Sequence, residues 1–489
     1  MQTIVIHPND NVAVALETLP AGSVGKYLLR EPIPRGHKFA IAPISSGQPV
    51  IKYGMPIGTA TMEIQPGDHV HTHNLRTNLK GQLEYTYAGV PPTPPIRDEG
   101  HTFQGYRRAD GSVGVRNHLF IVPTVGCINK LAEHLALVFN RNLPRGCDHA
   151  LALTHPYGCS QLGSDHEMTR AILSGLVKHP NAAGVLVVGL GCENNTIASF
   201  QKLLGNYDKA RIRFLVAQDC EDDFQAGMDI LTELAQQASA LKREPIPLSQ
   251  LVVGLKCGGS DGLSGITANA LVGRFSDRLV ANGGTTILGE VPEMFGAESL
   301  LMARAASKEV FDKCVSMING FKEYFMRYNQ VIYENPSPGN KEGGISTLED
   351  KSLGCTQKAG TSIVADVLQA GGHPCCQGLN LISGPGNDMV ASTLLAASGA
   401  HLILFTTGRG TPFGTVVPTL KISSNSQLAN HKPHWIDFDA GRLLKEDADS
   451  SQIDEQFFQL ILDTASGKSA KNESFGYQEI AIFKDGVTL

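Results

Sequence analysis

The sequence predicts a multi-domain α/β protein that begins with a small β-rich module. Three observations support this prediction. The chain has 489 residues, a length that suits two to four domains. Short β-like runs separated by turns fill the first 85 residues. From residue 105 onward, apolar strands alternate with helical segments, a pattern typical of parallel sheets covered by helices.

The N-terminal module, residues 1–85, contains short β-favouring runs punctuated by turn signals such as Ser46-Gly47 and Pro66-Gly67. The predicted strands are residues 3–7, 26–29, 38–41, 50–53 and 59–64. Residues 86–104 are predicted to form a linker. They include Pro91-Pro92-Thr93-Pro94-Pro95, and clustered prolines favour a semi-rigid polyproline II spacer.

Residues 105–247 form the first α/β block, a middle domain in which strand and helix alternate four times. The predicted pairs are 119–125 with 132–139, 150–154 with 166–177, 184–189 with 196–204, and 212–217 with 224–240. The charged, proline-containing stretch 242–247 is predicted to separate this block from the next. The C-terminal block, residues 248–489, has predicted strands at 251–255, 285–288, 362–367, 379–382, 401–406 and 416–422.

The charge pattern argues against nucleic acid or a membrane surface as partner. The formal net charge is −6, the pI is near 6.2, and basic runs are absent from the sequence. We see neither a secretory leader nor an uninterrupted apolar run of about 18 residues. These features predict a cytoplasmic protein whose ten cysteines are reduced thiols.

Four cysteines follow or end apolar strands: Cys127, Cys159, Cys192 and Cys257. The carboxyl ends of parallel strands share one edge of a sheet, so separated cysteines can converge there. Thiolates suit iron and zinc. We therefore predict an iron centre held by Cys127, Cys159 and Cys257, with Cys192 as an alternative ligand and one position open to substrate. The competing interpretation is that each Cys is a small buried hydrophobe.

A row of histidines, His69, His71 and His73, closes the β-rich module. On a strand the three side chains would share one face and bind metal or substrate. The alternative is an exposed polar face on an edge strand.

The stretch from Cys257 contains a Gly-rich strand-to-helix turn with Ser260, Asp261 and Gly262. Backbone N–H groups of such a turn can bind a substrate carboxylate, and Asp261 can ligate metal or accept a proton. Alternatively, Ser and Asp merely cap the helix. Glu290 and Glu293 follow the strand at 285–288 and could serve as ligand and base, unless Glu293 only occupies a first helical turn.

Two cations lie in Gly-containing loops. Lys341 belongs to the loop 335–344, and Arg409 follows the strand at 401–406, where it can pair with a carboxylate. Either loop could instead be plain surface. Dinucleotide fingerprints fail at Gly189-Leu-Gly191 and Gly384-Pro-Gly386, because both lack the third Gly, so we expect no nicotinamide or flavin.

Six motifs together resemble the altronate/galactarate dehydratase family. They are Gly105-Tyr-Arg-Arg-Ala-Asp-Gly-Ser-Val-Gly-Val-Arg-Asn117, Pro123-Thr-Val-Gly-Cys127, Gly189-Leu-Gly-Cys-Glu-Asn194, Cys257-Gly-Gly-Ser-Asp-Gly-Leu-Ser-Gly-Ile-Thr-Ala-Asn269, Asn335-Pro-Ser-Pro-Gly-Asn-Lys341 and Thr406-Thr-Gly-Arg-Gly-Thr-Pro412. The resemblance covers essentially the whole chain. It implies an N-terminal β-clip (SAF-type) domain, a dimerising middle domain and a variant Rossmann-like C-terminal domain, and hence a homodimer.

The resemblance further implies loss of water from a sugar acid such as D-altronate, with iron(II) or manganese(II) required. An iron–sulfur cluster is left open, and the histidine row resembles the altronate branch. On this hypothesis the catalytic residues are His155, Glu193, Asp261 and Glu290. Substrate is bound by Ser260, Gly262, Lys341, Arg409, His71 and His73. The alternatives are another aldonate or an aldarate such as galactarate, a sugar-acid-binding protein without activity, and a nicotinamide oxidoreductase, which the failed fingerprints disfavour.

Overall fold

The computed structural model describes residues 2–89 and 96–487. The predicted proline-rich spacer at 91–95 lies outside the described residues. Within the described ranges, every helix is too short or too polar to cross a lipid bilayer.

The N-terminal domain is built from short antiparallel strands. They are β1 (Thr3–Ile4), β2 (Val12–Ala15), β3 (Gly22–Val24), β4 (Tyr27–Leu29), β5 (Lys38–Ala40), β6 (Pro49–Lys52), β7 (Met55–Ala60), β8 (His69–Val70) and β9 (Leu75–Arg76). They pair as β1-β2-β5-β8, β6-β7-β9 and β3-β4. Apolar side chains such as Val12, Ile57 and Val70 meet between them and pack against Leu353 of the C-terminal domain, so this domain is fixed against its neighbour.

The middle domain contains a four-stranded parallel sheet. Its elements are β10 (Thr102–Arg107), β11 (Val113–Gly114), β12 (His118–Pro123), α1 (Asn129–Asn140), β13 (Ala150–Ala152), α2 (Gly163–Lys178), β14 (Ala182–Gly189), α3 (Ile197–Leu204), β15 (Ile212–Val216), α4 (Asp223–Ser239) and β16 (Glu244–Pro247). The sheet order is β13-β12-β14-β15. Every residue of β14 is buried, as expected for a strand covered by helices on both faces.

Within the stretch predicted to separate the two blocks, residues 244–247 form the edge strand β16, which pairs antiparallel with β10. Its two prolines are tolerated because an edge strand has one unpaired side.

The C-terminal domain is organised around a seven-stranded parallel sheet. Its elements are β17 (Val252–Cys257), α5 (Ala268–Ala281), β18 (Thr285–Leu288), α6 (Glu298–Met302), α7 (Lys308–Arg327), α8 (Pro338–Glu342), α9 (Leu348–Cys355), β19 (Val364–Leu368), β20 (Gly378–Ile382), α10 (Asp388–Ala397), β21 (Leu402–Thr407), β22 (Thr419–Ser423), α11 (Ser426–His431), β23 (Phe438–Asp439), α12 (Ser450–Ala465) and α13 (Lys471–Ser474). The strand order is β19-β20-β18-β17-β21-β22-β23, and all neighbours run parallel. The predicted fold class is confirmed.

The middle and C-terminal domains share an apolar core where α2 packs against α10. A side chain at Gly175 would lie 2.1 Å from the carbonyl oxygen of Ala397, so only glycine permits this close helix contact. The shared core holds the two parallel sheets in a fixed relation.

Candidate functional site

Two buried lysines of the N-terminal domain reach one carboxylate of the C-terminal domain. Lys38 Nζ lies 2.8 Å and Lys52 Nζ 2.9 Å from the two oxygens of Asp350 in α9. Burial alone would raise the pKa of Asp350, but the two ammonium groups outweigh burial and lower it. This triad fixes the domain interface electrostatically, because removing one member leaves an uncompensated buried charge.

The Gly-rich turn after β17 lies in the same interface. A side chain at Gly262 would meet the carbonyl oxygen of Gly36 at 2.0 Å, and the Gly262 N–H donates to the Gly343 carbonyl at 2.7 Å. The N–H predicted to bind substrate is therefore already used within the protein. In contrast, the hydroxyl of Ser260 is buried and has no hydrogen-bond partner among the described residues.

Asp261 braces this turn. Its carboxylate accepts hydrogen bonds from the hydroxyls of Ser264 and Ser424, both at 2.8 Å, and from the amide of Asn425 at 3.1 Å. These contacts give Asp261 a structural task, and its predicted catalytic role stays a prediction.

A groove of about 370 Å³ opens beside this turn, between the N-terminal and C-terminal domains. Two guanidinium groups line it, those of Arg35 and Arg409. Arg409 is half-exposed; it lies 3.2 Å from the Glu342 carboxylate and donates to the Gly339 carbonyl at 3.4 Å. The groove thus contains two guanidinium groups, of which Arg409 is paired with Glu342, together with the carboxylate of Asp261, and it includes the predicted binding residue Arg409.

Four histidines stack on the other side of α8: His37, His69, His71 and His73, with neighbouring ring centroids 5.0–5.6 Å apart. Nitrogens of His37 and His69 are 3.0 Å apart. The other His37 nitrogen and a His71 nitrogen each lie 3.0 Å from a carbonyl of α8, at Glu342 and Lys341 respectively. The histidines thus contact the backbone carbonyls of α8 at Lys341 and Glu342, and these contacts hold this part of the helix in place.

The predicted histidine row is present, although its strand ends at Val70. Sequence analysis missed His37. Pairing of β5 with β8 sets Phe39 opposite His69 and so brings His37 into the group. Burial lowers the pKa of His69 to about 3 and that of His71 to about 4. Near neutral pH these imidazoles are therefore uncharged hydrogen-bonding groups.

Behind the Gly-rich turn lies a set of seven ionisable side chains that we call the buried Lys–Glu–Cys cluster. Its members are Lys256, Cys257, Glu290, Glu293, Lys351, Cys355 and Lys358, all buried. The Cys257 sulfur lies 2.8 Å from Lys358 Nζ, 3.2 Å from Glu293 and 3.3 Å from the Cys355 sulfur. Lys351 pairs with Glu293 at 2.8 Å, and Lys256 pairs with Glu290. Glu290 adopts a left-handed backbone with φ of 69°, a strained conformation typical of functional sites.

Cys257, Glu293 and Cys355 place one donor atom each within 4.8 Å of one another, close enough to surround a metal ion. Thiolate and carboxylate donors suit zinc or iron. However, the three lysines of the cluster already pair with its two glutamates. A divalent cation would have to displace an ammonium group at a cost in buried charge. The three donor atoms are therefore spaced suitably for a metal ion, but the neighbouring ammonium groups make binding of a cation unfavourable.

The predicted ligand set of Cys127, Cys159 and Cys257 is divided between two sheets. Cys257 ends β17 in the C-terminal sheet and contacts Cys355, which sequence analysis did not single out. Cys127, Cys159 and the alternative ligand Cys192 follow β12, β13 and β14 in the middle domain, and all three are exposed. The predicted set therefore shares no single sheet edge, and its binding of one ion stays a prediction.

His155 and Glu193, predicted as general acid and base, instead hold loops together. His155 Nε2 lies 2.8 Å from the Pro123 carbonyl. Glu193 accepts hydrogen bonds from Thr124 Oγ1 at 2.6 Å and from the Gly191 N–H at 2.7 Å. Burial lowers the pKa of His155; in Glu193 burial acts to raise the pKa, but hydrogen bonds outweigh it and lower the value. Both side chains are buried and already form hydrogen bonds within the protein. We therefore expect them to position the neighbouring loops.

Comparison with known proteins covers all three domains. Residues 1–78 match the family model "Altronate/galactarate dehydratase SAF domain", residues 105–239 match "D-galactarate dehydratase/Altronate hydrolase, second domain", and residues 248–488 match "D-galactarate/Altronate dehydratase, C-terminal". The chain belongs to the altronate/galactarate dehydratase family. The resemblance inferred from the six motifs is confirmed.

Members of the altronate/galactarate dehydratase family differ in their sequence identity to this chain. Altronate dehydratase of Bacillus subtilis (strain 168) is 52% identical over 99% of both chains, and that of Escherichia coli (strain K12) is 53% identical over 100% of both. Galactarate dehydratase (L-threo-forming) of Escherichia coli (strain K12) is 34% identical over 98% of this chain and 96% of its own. The similarity is thus stronger to the altronate enzymes.

Proposed function

We propose that this chain is a hydro-lyase that converts D-altronate to 2-dehydro-3-deoxy-D-gluconate and water. The observation that carries this proposal is the 52–53% identity, over 99–100% of both chains, to two altronate dehydratases. The more distant galactarate dehydratase makes galactarate the second candidate substrate, at 34% identity.

The reaction removes a proton from the carbon next to the carboxylate and hydroxide from the following carbon. The resulting enol then becomes the 2-keto acid, and the proton and hydroxide leave as one water. Loss of that proton is difficult near neutral pH, because negative charge accumulates on the carboxylate as an enediolate. Cationic groups that hold the carboxylate, and an acid that protonates the leaving hydroxyl, lower this barrier.

We place the substrate carboxylate in the interdomain groove, between Arg409 and Arg35. A guanidinium can donate two parallel hydrogen bonds to a carboxylate, which fixes the acid end of the molecule. The groove volume of about 370 Å³ falls within the range of small-molecule sites. The half-exposed Lys341 side chain is proposed to contact a sugar hydroxyl, and the substrate-binding roles of His71 and His73, on the far side of α8, stay predictions.

The unpartnered Ser260 hydroxyl supplies a further donor at the base of the Gly-rich turn. Glu290 is proposed to act through Lys256, which also contacts the partly exposed Asp388 at 2.8 Å. The ion pairs of Lys256 with Glu290 and with Asp388 link the buried Lys–Glu–Cys cluster to the protein surface. In this arrangement Glu290 is proposed to position the Gly-rich turn.

We infer iron(II) as the metal, with manganese(II) as the alternative. A bound metal would serve as a Lewis acid for the leaving hydroxyl. We further propose a cytoplasmic homodimer; the ten free cysteines support a reducing compartment.

The test is turnover of D-altronate by anaerobically purified protein, with and without added iron(II). Product is detected as a 2-keto acid and compared with galactarate and other aldonates. We expect metal-dependent product from D-altronate in preference to galactarate. Binding of D-altronate without product would support the sugar-acid-binding alternative, and galactarate as the faster substrate would replace our assignment.

A further inference from the structure

We propose that Cys127, Cys159 and Cys192 together bind an iron–sulfur cluster, with three thiolate ligands and one iron left open. The proposed site lies at the carboxyl edge of the middle-domain sheet and includes no member of the buried Lys–Glu–Cys cluster. Cluster binding does not depend on the proposed function.

Three loops carry these cysteines, and the loop of Cys159 contacts both of the others. The Gly126 N–H donates to the Tyr157 carbonyl at 2.8 Å, and a side chain at Gly158 would lie 1.9 Å from the Thr124 carbonyl oxygen. The loop of Cys127 therefore abuts the loop of Cys159 directly.

The loop of Cys159 abuts that of Cys192 just as closely. The Asn195 N–H donates to the Gly158 carbonyl at 3.1 Å, and the Ser160 N–H donates to the Asn194 side chain at 3.0 Å. Cys127 and Cys159 each follow the contacting glycine by one residue, and Cys192 precedes Asn194 by two. All three thiols thus belong to one compact patch of backbone.

Buried side chains hold this patch in shape, as a preformed ligand site requires. Glu193 ties the loop after β14 to Thr124, and the Asn129 amide donates to the His155 carbonyl at 2.9 Å. The Asn195 side chain also reaches the Thr124 carbonyl at 3.3 Å. These bonds give His155 and Glu193 a functional reason to be present.

The three thiols are exposed, as are Cys375 and Cys376, which lie outside this patch. Cys147, Cys257, Cys314 and Cys355 are buried, but Cys127, Cys159 and Cys192 are exposed, so core packing does not account for these three. The Cys192 sulfur has a donor nearby, the Gln218 amide at 3.8 Å. An amide donor of this kind would stabilise a metal-bound thiolate.

The spacing favours a cluster over a single ion. Tetrahedral ligation at about 2.3 Å places sulfurs roughly 4 Å apart. Among the described residues, only Cys257, Glu293 and Cys355 bring three donors within 4.8 Å of one another. The three exposed sulfurs do not all lie within 4.8 Å of one another, and a cluster accepts a wider spacing than one ion does because each of its thiolates binds a different iron.

A fourth cysteine at this edge is unsuited to be a ligand. Cys220 follows β15, but its thiol contacts the Val216 carbonyl at 3.4 Å and it packs against the apolar core. A four-iron cluster with three thiolates keeps one iron open for an oxygen ligand.

The experiment reconstitutes the full chain anaerobically with iron(III), sulfide and excess dithiothreitol, whose thiols reduce half of the iron, and counts the bound iron and sulfide. We expect about four iron and four acid-labile sulfide ions per chain, with a visible charge-transfer band. Cys127→Ser, Cys159→Ser and Cys192→Ser should each bind at least about tenfold less of both. Cys220→Ser and the exposed Cys375→Ser serve as matched controls and should bind as the parent chain does.

Circular dichroism of the apo variants checks that each variant is folded. Iron without sulfide would overturn the proposal, as would equal binding by all three variants, or loss of the cluster in Cys257→Ser and Cys355→Ser instead. A bound cluster without D-altronate turnover would support this site and contradict the proposed function, so the two failures are distinguishable.

Discussion

The ammonium nitrogen of Lys358 lies 2.8 Å from the sulfur of Cys257, and both groups are buried. Burial acts to lower the pKa of Lys358, but the negative charges of Cys257 and Glu290 outweigh it and raise the pKa well above its ordinary value. Lys358 is therefore a buried cation in contact with the Cys257 sulfur and, at 3.4 Å, with the Glu290 carboxylate. Such a contact stabilises the fold only while both partners are present.

Lys358→Met tests this dependence. The variant leaves the negative charge around Cys257 and Glu290 with one cation fewer, so we expect the free energy of unfolding to fall by about 3–5 kcal/mol. Urea denaturation measures the change. Lys308→Met, which removes an exposed ion pair with Asp312, is the control and should change stability little. Equal stability of the two variants would show that the cluster is not held by its charges.

Acid should weaken the protein through its histidine group. The pKa of His69 is lowered to about 3 by burial first and by His37 and His71 next. Below the ordinary value of 6.5 the unfolded chain binds a proton that the folded chain does not, so stability falls as the pH drops from 6.5 towards 3. His69→Gln should flatten the pH dependence of the urea midpoint over this range. The exposed His134→Gln should keep the parent slope, and identical slopes for both variants would contradict our assignment.

The fold was largely predictable because long apolar runs mark buried strands. The strand at 285–288 was predicted to the residue, and the others agree to within a few positions. The edge strand β16 escaped prediction because its two prolines conceal the pairing with β10. Hydrophobic pattern thus locates strands but does not identify their partners.

The site was only partly predictable, because its members meet through tertiary structure. Cys355 and Lys358 lie at the end of α9 and in the turn after it, where neither a glycine nor a strand end marks them. His37 is 32 residues from His69 and joins it only through strand pairing. The strand-end rule places Cys127, Cys159 and Cys192 at one edge of the middle-domain sheet, whereas Cys257 ends a strand of the other sheet.

Gly262→Ala should separate the N-terminal domain from the C-terminal domain. The added methyl group would lie 2.0 Å from the Gly36 carbonyl oxygen, which cannot move without disturbing the interface. We expect lower stability and lower turnover together, measured by thermal unfolding and by product formation. Gly320→Ala is the control, because the helix α7 has open space at that position and alanine there should stabilise by about 0.5–1 kcal/mol. A folded, fully active Gly262→Ala chain would show that the proposed site does not depend on this interdomain contact.

Arg409→Ala should weaken binding of the sugar acid more than it slows the reaction. A charge-assisted hydrogen bond contributes about 1.5–3 kcal/mol, so we expect KM for D-altronate to rise roughly 10- to 100-fold with a smaller change in kcat. Arg409→Lys should recover only part of this loss, because an ammonium group cannot form two parallel bonds with a carboxylate. Arg274→Ala removes an exposed pair with Asp454, outside the residues that line the groove, and should leave KM unchanged. If kcat falls while KM stays constant in Arg409→Ala, the guanidinium acts on the transition state and not on the bound carboxylate, and its assignment must change accordingly.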